Sequence, residues 1–478
     1  MRRAFFLCDL GGATVPLPHV WEHTVGSCHA ALALRADWQT QLRQCREELG
    51  IKRVRFHGLL GDDVGTVVRR EGRIAYSFFN IERIWDSLLA MGMQPFVELS
   101  FMPRAIASGK ATVFHYEANV TPPRDMKQWA RLIRSLAQHA VDRYGDREVC
   151  EWNFEVWNEP NLRAFWRGSR EEYFDLYSAT ARALKGVDSR LRVGGPATSE
   201  NQWLEEFLEF CRRRKLPPDF ISTHYYPTDP THALFEATEE QLASARRGIL
   251  RQMAGSARAQ AGEIPLYYTE WNTSSSQRDP LHDEPYAAAF VIKTLMEVHS
   301  LVDAYSFWTF SDIFEESYFP SVPFHGGFGL LTLHGIAKPA YRAFELLHRF
   351  GTELVVPVDG IHPTVDCWVA RNGSRTNVML TNHAFPRQEI ENVRVRLRLV
   401  RAPTPKNLDI TRIDDGHANP KRAWMEMGSP EYLSGAQVAL LHDASALSGE
   451  RLDFSCESGS ISFELDIPPH GVALVTVE

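Results

Sequence analysis

The sequence has no uninterrupted apolar run approaching the ~18 residues that a membrane-spanning helix needs. Its few cysteines form no C-x-x-C pair, and Lys and Arg are outnumbered by Asp and Glu, 52 to 60. Each shortage removes a class of protein. Without the apolar run, no membrane helix and no membrane partner are expected. Cys8, Cys28, Cys45, Cys150, Cys211, Cys367 and Cys456 are odd in number and widely spaced, and no histidines stand at zinc-ligand intervals. That excludes a disulfide framework and a structural zinc site, and suits free thiols in a reducing compartment. A formal net charge of -8 argues against a general affinity for nucleic acid or anionic lipid, both of which rely on clustered Lys and Arg. The basic run "RRGILRQ" (246 to 252) reads as the solvated face of a helix. At the N-terminus, the apolar stretch "AFFLC" is five residues long before Asp9, too short for a signal sequence, so a cytoplasmic location is expected.

Aromatic residues, by contrast, are plentiful: 11% of the chain, with 12 Trp. Such rings pack cores and also stack on sugar faces. At 478 residues the chain is longer than one hydrophobic core usually supports, so two domains are expected. The partner this composition suits is a small neutral molecule. No pattern fixes an oligomeric state.

From residue 24 to about 350, short β-branched or aromatic runs alternate with long amphipathic segments. The strand candidates are "HTVGSCHA" (23 to 30), "RVRFHGLL" (53 to 60), "QPFVELS" (94 to 100), "NFEVWNEP" (153 to 160), "LRVGGPAT" (191 to 198), "FISTHYYP" (220 to 227), "PLYYTEWN" (265 to 272) and "DAYSFWTF" (303 to 310). Helical patterns lie between them, such as 37 to 50, 126 to 145 and 169 to 187, the first two closed by Gly50 and Gly145. Eight strand–helix units predict an α/β fold, a (β/α)8 TIM barrel, over 14 to 350. An open doubly wound sheet is the alternative, but no G-x-G-x-x-G follows the first strand. Beyond residue 350 the period changes to two, in "TVDCWVAR", "NVRVRLRLV" and "GVALVTVE". That predicts an accessory β-sandwich over 351 to 478, to which residues 1 to 13 add a possible strand.

In such a barrel the site forms at the C-terminal ends of the strands. Those ends carry Arg55 and His57 on the second strand, Asn158 and Glu159 on the fourth, His224 and Tyr226 on the sixth, Glu270 on the seventh and Trp308 on the eighth. Two carboxylates, Glu159 and Glu270, therefore face each other across the barrel mouth. That arrangement suits glycoside hydrolysis, in which one acid protonates the leaving oxygen and the other carboxylate attacks or activates water. Neither a cofactor nor a metal is required. Glu155 shares the parity of Glu159 but lies deeper, and reads as the partner of an arginine inside the barrel; Glu98 and Glu151 read as structural or solvated. Trp21, Trp85, Trp129 and Trp203 read as core.

The segments "VWNEPN", "THYYP", "YYTEWN", "RFHGLL" and "SDIFEE" (311 to 316) resemble glycoside hydrolase family 39, a family of β-xylosidases and α-L-iduronidases. The resemblance runs from about residue 21 to 345 and implies Glu159 as acid/base and Glu270 as nucleophile. It further implies exo-acting, retaining hydrolysis, by double displacement, of xylose from short xylo-oligosaccharides. Arg55 and Tyr226 are expected to hold Glu270, and Asn158 to take the sugar 2-hydroxyl. His57 and His224 are expected at other hydroxyls, with Trp308 as the subsite floor. Glu315 and Glu316, in the loop after the eighth strand, would accept hydrogen bonds from neutral hydroxyls and repel a uronate, favouring xylose over iduronate. No basic pair stands at the strand ends to recognise a uronate, although Arg124, Arg163 or Arg278 on loops could do so. The alternatives are an iduronidase-like or other glycosidase of the same clan, or a catalytically idle sugar-binding protein, against which the presence of both glutamates counts.

Overall fold

In a computed structural model, which describes residues 2–229, 237–317 and 319–478, eight parallel strands close into a barrel. They are β1 (Val25–His29), β2 (Arg53–His57), β3 (Gln94–Leu99), β4 (Asn153–Val156), β5 (Arg192–Ser199), β6 (Phe220–His224), β7 (Leu266–Trp271) and β8 (Ala304–Phe307). All eight expected strands are present. Most stop sooner than the apolar runs suggest, and β4 ends at Val156, so Asn158 and Glu159 lie just past it. A strand with helices outside and a filled barrel inside is buried on both faces, so its sequence is continuously apolar and the period says little about its end.

Each strand is followed by a helix: α1 (Ala36–Leu49), α2 (Phe79–Ala90), α3 (Met126–Tyr144), α4 (Arg170–Lys185), α5 (Leu204–Arg214), α6 (Ile249–Ala261), α7 (Pro285–Val298) and α8 (Pro339–Phe350). The ends are set by local chemistry. Gly50 closes α1 at φ 71°, a left-handed conformation that favours glycine. Ser169 and Glu172 form a reciprocal capping box that starts α4.

The barrel interior is layered. Its floor is apolar: Phe96, Phe220, Tyr267 and Ala304, from β3, β6, β7 and β8, cluster together, with Phe220 stacked on Tyr267 at 4.9 Å. Two residues further along the strands the lining turns polar, with Arg55, Glu98, Glu155, Ser222, Thr269 and Ser306, all buried. The next step reaches the mouth.

Apart from two short two-stranded ribbons, Val67–Arg70 with Arg73–Tyr76 and Thr112–Val113 with Ala118–Asn119, the remaining strands form one ten-stranded sheet rather than two separate ones. The N-terminal strand, Arg2–Pro16, sits inside it, antiparallel to Glu353–Asp359 on one side and parallel to Val393–Val400 on the other. The sheet curls over on itself. Leu408–Ile413 and Ser460–Ile467 lie near its opposite ends, yet Arg412 donates to the Asp466 carbonyl at 3.2 Å. The sandwich reading is thus met by a folded single sheet, antiparallel except where the N-terminal strand meets Val393–Val400. Two helices that the period-two pattern did not suggest, Pro420–Glu426 and Gly435–Ser445, are inserted before its last strands. Trp424 of the first packs on Phe324 of the barrel loops at 5.6 Å. Arg247, from the loop before α6, reaches across to Asp366 and to the carbonyls of Thr364 and His383 at 3.0 and 3.2 Å.

Candidate active site

A cavity of about 520 Å³ opens at the C-terminal ends of the strands, within the ~300–1,000 Å³ range of small-molecule sites. His57, Asn158, Glu159, Tyr226, Glu270, Trp308 and Glu316 line it, with Phe114 and Phe165 as apolar walls.

Glu270 reaches the cavity through an irregularity in β7. Tyr267 belongs to the interior floor, so strict alternation would turn Thr269 inward and Glu270 out toward the helices. Against β6, however, Thr223 pairs with Tyr268 and His224 with Glu270, so two residues of β7 oppose one. The register against β8 shifts over the same stretch. This bulge lets Thr269 and Glu270 both face inward, while Trp271 faces out and packs on Phe290 of α7. The turn after β4 does the same for the other glutamate. Trp157 and Glu159 hold positive φ, 74° and 43°. Trp157 is directed into the packing against Trp129 and Trp166, and the Glu159 N–H donates to the Ala197 carbonyl at 2.8 Å. Two non-glycine residues in the left-handed region cost of order 1–3 kcal/mol each and mark a site where the surroundings over-determine the backbone.

Arg55, fully buried, is the hub beneath the cavity. It donates from Nε to Glu155 (2.6 Å), from Nη1 to Glu270 Oε1 (2.7 Å) and from Nη2 to Asn158 Oδ1 (2.9 Å), and its Nη2 lies 2.8 Å from Glu98. Burial works against its charge, but the surrounding carboxylates outweigh this and hold it firmly protonated. Glu98 also takes His57 Nδ1 at 2.8 Å. Burial disfavours the His57 charge too, yet Glu98, Glu270 and Glu316 raise its pKa to about 9, so it is an imidazolium at neutral pH. Tyr226 donates its hydroxyl to Glu270 Oε2 at 3.0 Å. Both oxygens of Glu270 are thereby held by donors.

Glu159 differs. Among the described residues no arginine is hydrogen-bonded to it, and burial raises its pKa to about 7. One oxygen of Glu159, one of Glu270 and a ring nitrogen of His224 lie within 4.8 Å of one another. With the guanidinium of Arg55 already against Glu270, a second cation there would meet positive charge, so the trio reads as an acid–base group. His19, Glu22 and His348, a similar trio, are joined by hydrogen bonds of 2.6 and 2.7 Å to a single Glu22 oxygen.

Two expected sugar contacts are displaced. Glu315 does not line the cavity: Arg35 holds it at 2.9 Å, with His29 at 3.9 Å, because successive residues of an extended loop point opposite ways. Its neighbour Glu316 does line the cavity, and burial raises its pKa to about 8. His224 has no nitrogen left for a sugar, since Nδ1 meets Glu159 at 3.0 Å and Nε2 meets Thr269 Oγ1 at 3.1 Å. Burial keeps it neutral, lowering its pKa to about 4. Trp308 follows β8 and leans on His57 with ring centroids 4.8 Å apart; Gly26 of β1 lies beneath it, where an added Cβ would come within 2.5 Å of the indole. Of the other readings, Glu155 does pair with Arg55, Glu98 is structural, and Glu151 is a surface partner of Arg192 at 2.8 Å. Trp21, Trp85 and Trp129 are core, while Trp203 is partly exposed. Thr269, Phe114, Phe165 and the rim acids Glu200 and Asp229 carried no signal in sequence beyond their position.

Comparison with known proteins adds an independent line. The model of the family described as "Glycosyl hydrolases family 39" matches residues 9–452. A beta-xylosidase of Caldicellulosiruptor saccharolyticus is 48% identical over 463 residues, covering 96% of this chain and 95% of its own. One from Geobacillus stearothermophilus is 38% identical, covering 89% and 86%. The crystal structure of the GH39 enzyme from Xanthomonas axonopodis pv. citri superposes with a TM-score of 0.88 at 32% identity, covering 100% of this chain and 98% of that one.

Proposed function

Because the chain belongs to glycosyl hydrolase family 39 and is a glycoside hydrolase, we propose that it is a retaining, exo-acting β-xylosidase that removes terminal xylose from short xylo-oligosaccharides by double displacement. The observation that carries this reading is the pair itself. Glu159 and Glu270 bring carboxylate oxygens within 4.8 Å across the cavity. Retaining glycosidases hold their two carboxyl groups ~5–5.5 Å apart, whereas inverting ones leave ~6.5–9.5 Å for a water.

The division of labour follows from the surroundings. Glu270, its oxygens held by Arg55 and Tyr226, attacks the anomeric carbon as a carboxylate. Glu159, with its pKa at about 7, gives its proton to the departing glycosidic oxygen. In the second step water attacks the anomeric carbon, Glu159 takes the water's proton, and the bond to Glu270 breaks. Asn158, at the cavity surface and anchored by Arg55, is placed for the 2-hydroxyl. His57 donates from Nε2 to a further hydroxyl, and Trp308 forms the apolar floor.

A neutral pentose suits the lining. Among its described residues there are five acids, Glu159, Glu200, Asp229, Glu270 and Glu316, and no Arg or Lys; Arg124, Arg163 and Arg278 are all outside it. Glu316, protonated at neutral pH, serves as donor and acceptor to hydroxyls rather than as a repelling charge. The seven unpaired cysteines, five of them buried, support a cytoplasmic location, where imported short oligomers are the available substrate. Two assays test the reading. Nitrophenyl β-xyloside is expected to be cleaved and the corresponding α-L-iduronide left intact; activity on the iduronide alone overturns the substrate. Proton NMR of fresh hydrolysis is expected to show β-xylose first, and α-xylose first overturns retention.

A further inference from the structure

Beneath the two glutamates runs a chain of hydrogen bonds that nothing in the reaction described above requires. Thr269 donates its hydroxyl to Glu155 Oε1 at 2.8 Å. The direction is forced, since Glu155 is ion-paired to Arg55 at 2.6 Å and as a carboxylate has no proton to give. A hydroxyl has one proton. The 3.1 Å contact between Thr269 Oγ1 and His224 Nε2 must therefore run the other way, with Nε2–H donating. A neutral imidazole carries one N–H, so Nδ1 is then a bare acceptor, and it faces Glu159 Oε1 at 3.0 Å. The chain is complete only when Glu159 supplies the proton. All four residues are buried, and Thr269, His224 and Glu155 almost completely so, which leaves no water at those atoms to repair a mismatch.

We infer that Glu155, Thr269 and His224 form a relay that fixes His224 in its Nε2-protonated tautomer and so holds Glu159 in the acid form, making Thr269 a positioning residue for the acid/base. This rests on the assignment of Glu159 proposed above. The carboxyl group has one proton, so to serve the leaving oxygen Glu159 turns it from Nδ1 into the cavity, and once it is given up the carboxylate is left against the lone pair of Nδ1. That contact strengthens Glu159 as the base that takes a proton from water in the second step. To donate to the carboxylate instead, His224 would have to move its proton to Nδ1. Thr269 would then have to turn its hydroxyl to Nε2, stripping Glu155 Oε1 of its donor.

Other groups also bear on this pair. Arg55 and His57 face it from β2, Glu270 from β7, Tyr226 and Asp229 from the loop after β6, Ser199 and Glu200 from the end of β5, and Glu316 from the loop after β8. Thr269→Val leaves all of them in place and removes one hydroxyl, which is both the acceptor for Nε2–H and the donor to Glu155 Oε1. The tautomer is then free to reverse, and Nδ1–H donates to ionised Glu159.

The test uses xylobiose, whose poor leaving group needs the acid. In Thr269→Val the basic limb of kcat/KM is expected to move to lower pH by roughly one to two units, the size of one hydrogen bond to a charged group. Thr269→Ser, which keeps the hydroxyl, is expected to keep the limb. A limb unmoved in Thr269→Val overturns the relay. Independently of any activity, proton–nitrogen correlation on [15N]histidine-labelled protein, with His224 assigned by its loss in His224→Gln, is expected to show the Nε2-protonated tautomer at pH 6. An Nδ1-protonated His224 overturns the relay even if xylobiose is cleaved, and absence of xylobiose cleavage with the Nε2 tautomer present overturns the functional reading while sparing the relay.

Discussion

Glu159 and Glu316 are both buried carboxyl groups with raised pKa values, about 7 and about 8, and their consequences differ. Glu159 must carry a proton in the free enzyme to act as an acid, so kcat/KM on xylobiose is expected to fall as pH rises through about 7. A profile flat to pH 9 would contradict this. Glu316 touches stability. Its folded pKa lies above its unfolded one, so the stability associated with its proton is fully present below the unfolded value and is lost as pH rises through about 8. Glu316→Gln removes that dependence. The melting temperature of the variant is expected to gain on the parent as pH rises from 5 to 9, and a constant difference would contradict it. Tyr226→Phe deletes one of the donors to Glu270. A hydrogen bond to a charged group is worth ~1.5–3 kcal/mol, so a roughly 10- to 100-fold fall in kcat is expected with the fold intact.

At the scale of elements, the strand order and the helices between strands were legible because each strand is a buried run bounded by turn residues and some helices carry plain end signals, such as Gly50 after α1 and the Ser169–Glu172 box before α4. The inward orientation of Glu270 was not. Alternation from Tyr267 sends Glu270 outward, and only the bulge at Thr269 and Glu270 brings it to the cavity. The sequence motif marked the residue while the period contradicted its direction. The same applies to Asn158 and Glu159, which enter the cavity through left-handed backbone past the end of β4 rather than on the strand. Thr269 was invisible because its role depends on which atoms of His224 and Glu155 come within reach. Gly26 is a further case: nothing in the sequence marks it, and in the structure an added Cβ there would run into the Trp308 indole. Gly26→Ala is expected to displace the indole, raising KM for xylobiose and costing about 1–3 kcal/mol as an overpacked site. A variant with parental KM and melting temperature would remove Trp308's floor role.

Across the whole molecule, the first and last parts of the chain meet. The strand Arg2–Pro16 precedes the barrel in sequence but lies inside the ten-stranded sheet, between Glu353–Asp359 and Val393–Val400. Its apolar alternation was readable; its partners were not, because pairing across roughly 340–390 residues leaves no local trace. The charge balance of the barrel is also a property of the whole. Arg55 faces Glu98, Glu155 and Glu270 at once, with His57 a second cation against Glu98, and removing one partner of a buried network strands the others. Arg55→Met is expected to destabilise the fold by about 3–5 kcal/mol by denaturant titration, where a surface ion pair would cost below 1. The central claim is that Glu270 attacks from one face of the sugar while Glu159 serves the other, and azide rescue tests it most directly. With a nitrophenyl β-xyloside, azide is expected to restore turnover to Glu270→Gly and give the α-xylosyl azide, and to restore it to Glu159→Ala and give the β-xylosyl azide. The same anomer from both variants, or the two anomers exchanged, would contradict the account.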